Sequence, residues 1–461
     1  MTRPEQVIPP FGNTLIVGAG PAGIHIAVDA GRGWCGRLGL ANRRGAHSDR
    51  ILCELDRQGY TLSSVVQIQS KSHLSGEVLL DDYYNGFDEI DDKWHTVILC
   101  TPSDSYSDVI AALKLENLSQ VKRIVLLSPG IGSNLLVQSL VRRSGSDIEV
   151  ISLSTYYGAS RFAFEAGQST VLRSIVRGLK RKVTAGSNKP GSQTIEDVKR
   201  FIESLGIQFE SASHPAAAES RSITTYVHPA FFINDFSMNE IFSRTPSRKY
   251  MYKLYPEGPI TPQAIQSMLL LWKEIGELVT RLHAEPINLL KFLNDDNYPV
   301  LEATLSREDI EGFTEADPVK QEYLLYIRYA SILIDPFAEP DERGRYPDFS
   351  AFPYKQISKD SEGKWIIPRV PYEDYKKIKL VERLGKNLNL SMPQTSAFIN
   401  KFESKLASFV EEEGMERFRP GLFTDTTESE ADLIFGELEL FRAAPVTSRA
   451  NSGTKGEQGS L

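Results

Sequence analysis

Short apolar runs alternate with segments of helical periodicity along the first third of the chain. The apolar runs are Asn13–Val17, Arg37–Ala41, His95–Cys100, Arg123–Leu127 and Ile148–Leu153. Short continuous apolar runs suit parallel strands that are covered by helices on both faces. The pattern therefore predicts an α/β fold that opens with a Rossmann dinucleotide-binding domain.

The hydrophobic pattern changes near Pro215. Residues 169–213 are predicted to form further strand–helix–strand structure, whereas helical periodicity dominates beyond this point. Thr261 followed by Pro262 is typical of a helix start. Apolar residues then recur at helical spacing from Ile265 to Leu282, a stripe that we interpret as core. Another apolar helix is predicted over Gln321–Ile334.

With 461 residues the chain is too long for one ordinary core, so two domains are expected. The patterns predict four parts. They are a loose, proline-rich leader (1–12), a Rossmann domain (13–214), a mostly α-helical domain (215–443) and a disordered Ser/Gly/Thr-rich tail (444–461).

A glycine motif follows the first predicted strand. It reads Gly18-x-Gly20-x-x-Gly23, with Pro21 and Ala22 inside it, and a helix-compatible segment comes next. Gly18 permits the tight turn, Gly20 leaves room for a pyrophosphate, and Gly23 lets the helix pack close to the sheet. The helix N-terminus then faces the phosphate charge. The motif predicts a dinucleotide site; a glycine-rich turn without a ligand is the alternative.

The second predicted strand is followed by Asn42, Arg43 and Arg44 rather than by an acid. A carboxylate here would repel the 2′-phosphate of NADP, whereas a guanidinium can bind it with two parallel hydrogen bonds. We therefore predict NADPH as the cofactor, with an ordinary solvated turn as the alternative. The further cofactor-binding residues, predicted at strand ends near the ribose or nicotinamide, are Thr101, Pro102 and Ser128.

Composition excludes several classes of function. The net charge is −8, which argues against a nucleic-acid or anionic-membrane partner, and the basic run 173–182 is interpreted as a solvated strand face. The three cysteines form no CxxC pair, which argues against a disulfide framework or a zinc site. No apolar run reaches the roughly 18 residues that cross a bilayer, and no signal segment is recognisable, so a cytoplasmic protein is expected.

Ten collinear segments are shared with a known group of enzymes. They are Cys100–Tyr106, Ile151–Tyr157, Thr225–Pro229, Asn234–Phe236, Tyr252–Thr261, Asn288–Leu290, Asn297–Val300, Gln321–Tyr329, Ile334–Phe337 and Asp348–Ser350. In these segments the chain resembles the opine metallophore dehydrogenases, typified by the staphylopine and pseudopaline dehydrogenases. The resemblance spans roughly residues 13–410 and excludes the tail.

The resemblance implies a reaction and its reactants. The amine of an aminobutanoyl-histidine intermediate condenses with an α-keto acid, and the imine is reduced by hydride from a nicotinamide to give a nicotianamine-like metal chelator. The sequence is nearer to the pseudopaline type, which favours α-ketoglutarate over pyruvate. A homodimer without a metal of its own is also implied. A reductase of a simple keto acid and a non-catalytic NADPH sensor remain alternatives.

Imine formation and reduction need a proton shuttle, and histidine titrates in the right range. Of the seven histidines, His228 lies in the Tyr-Val-His-Pro segment that resembles the family, so we predict it to be catalytic. The resemblance implies an aspartate partner. Asp335 is the predicted partner, Asp235 is the alternative, and capping of a helix or turn is the structural explanation for either.

Substrates with several carboxylates need cations. Arg221, Lys253 and Arg328 lie in or near resembling segments and are predicted to bind substrate, with surface ion pairing as the alternative. Tyr156, which follows the strand ending at Leu153, is the fourth predicted substrate-binding residue.

Overall fold

The computed structural model describes residues 9–165, 168–331 and 350–443, and two β-sheets dominate the first half of that part of the chain. The strands are β1 (Thr14–Val17), β2 (Leu38–Asn42), β3 (Thr61–Val66), β4 (Gly76–Leu79), β5 (Asp82–Asn85), β6 (Thr96–Leu99), β7 (Arg123–Leu126), β8 (Glu149–Leu153), β9 (Gly158–Glu165), β10 (Gln168–Leu179), β11 (Lys182–Ser187), β12 (Gln208–Ser211), β13 (Ser358–Lys359) and β14 (Trp365–Ile366).

Helices separate several of these strands and dominate the chain beyond β12. They are α1 (Pro21–Ala30), α2 (Ala46–Gln58), α3 (Tyr106–Leu113), α4 (Ser133–Arg143), α5 (Gln193–Ser204), α6 (Pro215–Glu219), α7 (Ile223–Phe232), α8 (Asp235–Ile241), α9 (Pro262–Arg281), α10 (Leu289–Lys291), α11 (Arg307–Glu311), α12 (Pro318–Ser331), α13 (Arg369–Asn387), α14 (Pro393–Glu413) and α15 (Thr427–Ala443). A π-helical turn, Phe292–Asn297, directly follows α10.

The large sheet has the strand order β12-β11-β8-β7-β6-β1-β2-β5. Strands β5, β2, β1, β6, β7 and β8 run parallel to one another, while β11 is antiparallel to β8. A second sheet, ordered β4-β3-β10-β9, lies beside α1. The parallel strands bring the loops after β1, β2, β6, β7 and β8 to one edge, where open α/β sheets bind their ligands.

The large sheet is buried on both faces because its central strands are mostly apolar. Leu15, Ile16, Ile98 and Ile124 are each at most 5% exposed. On one face Phe11 packs against the rings of Trp34 and Phe201. The prediction of a loose leader is therefore wrong for residues 9–12. Phe11 is only 3% exposed because its apolar ring completes the core beneath the sheet.

The helical part is built around α9. Thr261 caps this helix by accepting a hydrogen bond from the Ala264 N–H, and Pro262 is its first residue, as the sequence predicted. The apolar stripe of α9 is buried among α7, α12, α13 and α14, so its interpretation as core is confirmed. The last helix, α15, returns to pack against α4 and α13.

A buried carboxylate joins the helical part to the large sheet. Glu219, at the end of α6, accepts hydrogen bonds from the Gly132 and Asn134 N–H groups at the start of α4 and from the Ser152 hydroxyl. Burial raises the pKa of Glu219 to about 8, although the hydrogen bonds from Ser152 and the α4 backbone act in the opposite direction. This connection holds the segment leading into α7 against the sheet edge.

The predicted fold class, a Rossmann domain followed by a mostly α-helical region, is confirmed. In the basic run 173–182, Arg173, Arg177 and Arg181 are exposed, as expected for a solvated face, whereas Lys180 and Lys182 are half-buried. The boundary at residues 214/215 stays a prediction, and the tail 444–461 lies outside the described residues. Within the described residues, no helix combines the length and apolar character needed to cross a membrane.

Candidate active site

The glycine loop between β1 and α1 has the shape that its sequence predicts. Gly18 has φ +111°, a conformation that favours glycine. A Cβ on Gly23 would lie 2.0 Å from the Gly18 carbonyl oxygen, so only glycine fits where α1 meets the strand. Gly20 faces open space, with no atom within 4 Å of a Cβ placed there. Pro21 and Ala22 form the first turn of α1, so the loop can receive a pyrophosphate at the helix N-terminus.

The loop after β2 lies directly beside the glycine loop. The Asn42 side-chain oxygen accepts a hydrogen bond from the Ala19 N–H at 3.2 Å. Arg44 donates to the Asn85 carbonyl at 3.1 Å and pairs with Asp88 at 3.2 Å. Arg43 is exposed and has no ion pair among the described residues. The two arginines therefore differ, and Arg43 is the one whose guanidinium is available to a phosphate.

The ends of β6 and β7 lie at the same edge of the large sheet as the glycine loop. Thr101 follows β6 and approaches Gly18, and its hydroxyl oxygen is buried without a hydrogen-bond partner in the described structure. Pro102 precedes a short 3-10 turn, and Ser128, just beyond β7, is half-buried. A buried hydroxyl without a partner is uncommon and marks a place for a bound polar group.

Tyr156 belongs to a buried network under α1. Its hydroxyl lies 2.6 Å from Nδ1 of His25 and donates to Ser160 at 3.0 Å. His25 Nε2 lies 3.1 Å from Asp29 on the same helix. Burial raises the pKa of Tyr156, so the phenol stays neutral. The structure thus accounts for Tyr156 by contacts within the Rossmann domain, and its substrate-binding role stays a prediction.

His228 lies on α7 and is paired with Asp374 on α13. Its Nδ1 is 3.1 Å from both carboxylate oxygens, and the side chains are 15% and 4% exposed. Because a carboxylate only accepts hydrogen bonds, Nδ1 carries a proton and Nε2 is left for another partner. The ring packs edge-on against Phe232 with a centroid distance of 4.9 Å. Such a pairing fixes the tautomer of a histidine and stabilises the imidazolium when it forms.

The His228 ring faces a cavity of about 290 Å³ between α7, α12 and the 251–260 and 350–352 segments. The Tyr252 hydroxyl lies 3.5 Å from Nε2 of His228, and burial raises the pKa of Tyr252, so it stays a neutral donor. Aromatic and aliphatic side chains form most of the wall. The lining residues are Ile223, Val227, His228, Met251, Tyr252, Ile260, Tyr298, Arg328, Tyr329, Ser350 and Phe352.

Arg328 brings a positive charge to the same cavity. It is 1% exposed, and its Nη2 donates to the carbonyls of Leu293 and Tyr298. Its Nε is buried without a hydrogen-bond partner in the described structure, and burial lowers its pKa. A buried guanidinium without a full set of acceptors suits a carboxylate ligand. Of the four predicted substrate-binding residues, Arg328 is the one that shares this cavity with His228.

Arg221 and Lys253 lie elsewhere. Arg221 is 3.4 Å from Asp296 and 3.7 Å from Glu210, in an ion-pair cluster at the end of β12. Lys253 lies over the Tyr250 ring, 5.8 Å from its centroid, and does not line the cavity. The described contacts of Arg221 are those of the surface-pairing alternative, and both substrate-binding roles stay predictions.

The structure pairs His228 with an aspartate, Asp374, that the sequence analysis did not name. Asp235 is 85% exposed on α8 and pairs with Lys401, so the alternative partner is wrong. Asp335 lies outside the described residues. Asp374 was missed because its neighbours in the sequence give no sign of a catalytic role. It lies among Glu373, Lys376 and Lys377, and this charged segment resembles a solvated helical face. Tyr252 could have been predicted, since it is the first residue of a segment that resembles the family, Tyr252–Thr261.

A larger cavity of about 500 Å³ lies behind Asp374. It is lined by α7, α13, α14 and α15 together with the loops after β6 and β7. Asp374 reaches its wall but the His228 ring does not. His228 therefore borders the smaller cavity, and Asp374 lies between the two. Within the described residues, no cluster of three or more His, Cys, Asp or Glu side chains could hold a metal ion.

Comparison with known proteins identifies the family. Residues 12–438 match the family model described as staphylopine dehydrogenase. The chain is 42% identical to the pseudopaline synthase of Pseudomonas aeruginosa (strain UCBPP-PA14) over 428 residues, covering 92% of this chain and 97% of that one. It is 34% identical to the staphylopine synthase of Staphylococcus aureus (strain Mu50 / ATCC 700699) over 434 residues, covering 93% of this chain and 98% of that one.

Solved structures agree with the sequence comparison. The NADP+-bound yersinopine dehydrogenase superposes with a TM-score of 0.85 at 32% identity, covering 93% of this chain and 99% of that chain. Octopine dehydrogenase, with a TM-score of 0.58 and 14% identity, shares the fold. The predicted resemblance and enzyme class are thereby confirmed. The chain belongs to the staphylopine dehydrogenase family, and it is an opine dehydrogenase, a nicotinamide-dependent oxidoreductase acting on CH–NH bonds.

Proposed function

We propose that the enzyme catalyses the reductive condensation of an aminobutanoyl-histidine amine with an α-keto acid, using NADPH, as the last step in making an opine metallophore. Amine and keto acid lose one water to form an imine. The imine then takes a hydride and a proton, which gives the secondary amine and NADP+. The relatives named pseudopaline, staphylopine and yersinopine synthases support this assignment.

One observation carries the proposal: the Nε2 face of His228 opens into the cavity that also holds Arg328, with Asp374 behind the ring. Loss of water from the carbinolamine and protonation of the imine nitrogen both need a group that gives and takes protons near neutral pH. His228 can do both through Nε2 while Asp374 holds Nδ1. Tyr252, neutral and beside Nε2, can donate a hydrogen bond to the departing oxygen.

The amine substrate fits the composition of the cavity. An imidazole ring can pack against Tyr298, Tyr329 and Phe352, and a carboxylate can bind the guanidinium of Arg328. A cavity of about 290 Å³ lies at the lower end of the size of ordinary small-molecule sites, which begins at about 300 Å³. Because its walls are largely apolar, it also excludes water that would hydrolyse an imine.

NADPH supplies the hydride when bound, and several residues fit it. The open space at Gly20 and the N-terminus of α1 suit the pyrophosphate, and Arg43 suits the 2′-phosphate. The unpartnered Thr101 hydroxyl suits a polar group of the ribose or nicotinamide. The NADP+-bound yersinopine dehydrogenase, which matches over 93% of this chain, supports this cofactor.

For the keto acid we propose α-ketoglutarate rather than pyruvate. The resemblance is nearer to the pseudopaline type, and the identity of 42% with pseudopaline synthase against 34% with staphylopine synthase supports this preference. A homodimer is proposed on the family resemblance alone.

The test is NADPH oxidation at about 340 nm with each keto acid, in the presence and absence of the amine. Oxidation that needs both amine and keto acid supports the condensation and identifies the keto acid. Oxidation with the keto acid alone favours a simple reductase. The absence of oxidation in every combination, together with measurable NADPH binding, favours a non-catalytic sensor.

A further inference from the structure

Lys180 stands at the ligand-binding edge of the large sheet, outside the site described above. It follows β10, and its backbone N–H donates to the Tyr157 carbonyl at 2.8 Å. This places it beside the segment that follows β8. Its side chain is half-buried and lines, with Ser154, Thr155 and Asn297, a narrow opening of about 10 Å³. The opening therefore has one wall from the sheet edge and one from the π-helical turn of the helical domain.

The charged side chains around this opening carry a net positive charge. Three cations line it, Lys180, Lys182 and Arg221, and two acids lie close by, Glu210 and Asp296. Lys182 is 2.9 Å from each acid. Arg221 is within 3.7 Å of both. Both acids are thus shared by two cations, and within the described residues Lys180 has no carboxylate partner.

The side-chain contact that Lys180 makes among the described residues is with a neutral amide. Its ammonium donates to the side-chain oxygen of Asn297 at 3.3 Å. The Asn297 amide is oriented for this role because its nitrogen donates to the Phe292 carbonyl at 3.0 Å. An ammonium has three N–H donors, so two remain. Burial lowers the pKa of Lys180, which is the cost of holding an unpaired cation there.

From this arrangement we infer that Lys180 binds a carboxylate of the α-keto acid at the mouth of the opening formed with Ser154, Thr155 and Asn297. The inference rests on the proposed function. The keto carbon is the atom that receives hydride, so this reactant must lie against the sheet edge, where the nicotinamide of a Rossmann domain lies. The amine substrate, in contrast, is proposed to occupy the cavity beyond His228.

The experiment compares Lys180→Met, which keeps the aliphatic stem, with Lys180→Arg, which keeps the charge. Lys189→Met is the matched control, since Lys189 is exposed and pairs only with Asp147 within the described structure. Binding of α-ketoglutarate and of pyruvate to each NADP+-saturated protein is measured by ligand-detected NMR. Michaelis constants are then measured in the condensation assay, and thermal midpoints report folding.

We expect Lys180→Met to weaken keto-acid binding and raise its Michaelis constant by about ten- to a hundred-fold, as for loss of a charged hydrogen bond. Lys180→Arg should recover part of this loss, and the constants for NADPH and amine should stay near those of the wild type. Unchanged keto-acid binding in a folded Lys180→Met protein overturns the inference. A rise in the Michaelis constant for the amine alone also overturns it. Because the binding measurement omits the amine, keto-acid binding that depends on Lys180 supports the inference even if the wild type fails to condense the two substrates.

Discussion

Both oxygens of the Asp374 carboxylate lie 3.1 Å from Nδ1 of His228, although the two residues are 146 positions apart in the chain. The contact joins α7 to α13 and leaves Nε2 toward the cavity. A histidine held in this way has one tautomer and one orientation, which a proton shuttle requires.

Replacing His228 by alanine should lower kcat by about 10²–10⁴-fold, because the proton donor and acceptor is lost. The affinity for NADPH should hardly change, since the glycine loop and Arg43 are elsewhere. Turnover is measured in the condensation assay, and NADPH affinity by fluorescence titration. A His228→Ala enzyme with wild-type turnover would remove His228 from the mechanism.

Asp374→Asn tests the partner assignment, because the amide also allows the wrong tautomer of His228. It should lower kcat strongly while the protein stays folded. Asp235→Asn is the matched control, as Asp235 is exposed and pairs with Lys401. The assignment fails if Asp235→Asn lowers turnover as much as Asp374→Asn does.

Arg43→Ala should raise the Michaelis constant for NADPH by about ten-fold or more, the cost of a charged hydrogen bond to phosphate. The constant for NADH should change little. Arg44→Ala should have a smaller effect, because Arg44 is already bound to Asp88 and the Asn85 carbonyl. Equal effects of Arg43→Ala on both cofactors would contradict a 2′-phosphate contact.

Arg328→Lys keeps a positive charge but loses the planar fork that contacts the carbonyls and the cavity. We expect the Michaelis constant for the amine to rise by about ten-fold, with that for the keto acid nearly unchanged. Arg281→Lys, at the exposed end of α9, is the control. If only the Michaelis constant for the keto acid rises, the keto acid rather than the amine substrate binds Arg328.

The stability of the protein should depend on pH through His214, which accepts a hydrogen bond from the Ala216 N–H at the start of α6. Burial, and then the neighbouring His283, lower the pKa of His214 from 6.5 to about 4. The unfolded chain therefore takes up the proton first as pH falls. Stability from this residue is complete above about pH 6.5 and is lost progressively toward about pH 4.

His214→Asn keeps an acceptor for the cap but cannot be protonated. Its thermal midpoint should fall less steeply than that of the wild type between about pH 6.5 and 4. His73→Asn, at an exposed position, should leave the wild-type slope unchanged. Identical slopes for the wild type and His214→Asn would show that His214 does not couple protonation to folding.

Most of the fold was predictable because its signals are local. Apolar runs became β1, β2, β6, β7 and β8 with ends shifted by a residue at most, and Thr261–Pro262 began α9 as predicted. The second sheet was not recognised as a separate unit, because pairing β3 with β10 requires residues about 110 positions apart to meet. The buried position of Phe11 was missed for the same reason.

The sequence by itself determined the Rossmann loop, the family and the choice of His228, since glycine spacing, strand patterns and collinear shared segments are properties of the chain. Only the tertiary structure decided which charges meet. It paired His228 with Asp374, Arg44 with Asp88 and Arg221 with Asp296, and it left Arg43 without an ion pair and Lys180 without a carboxylate among the described residues. Such pairings depend on how distant helices and loops pack, and no periodicity in the sequence encodes them.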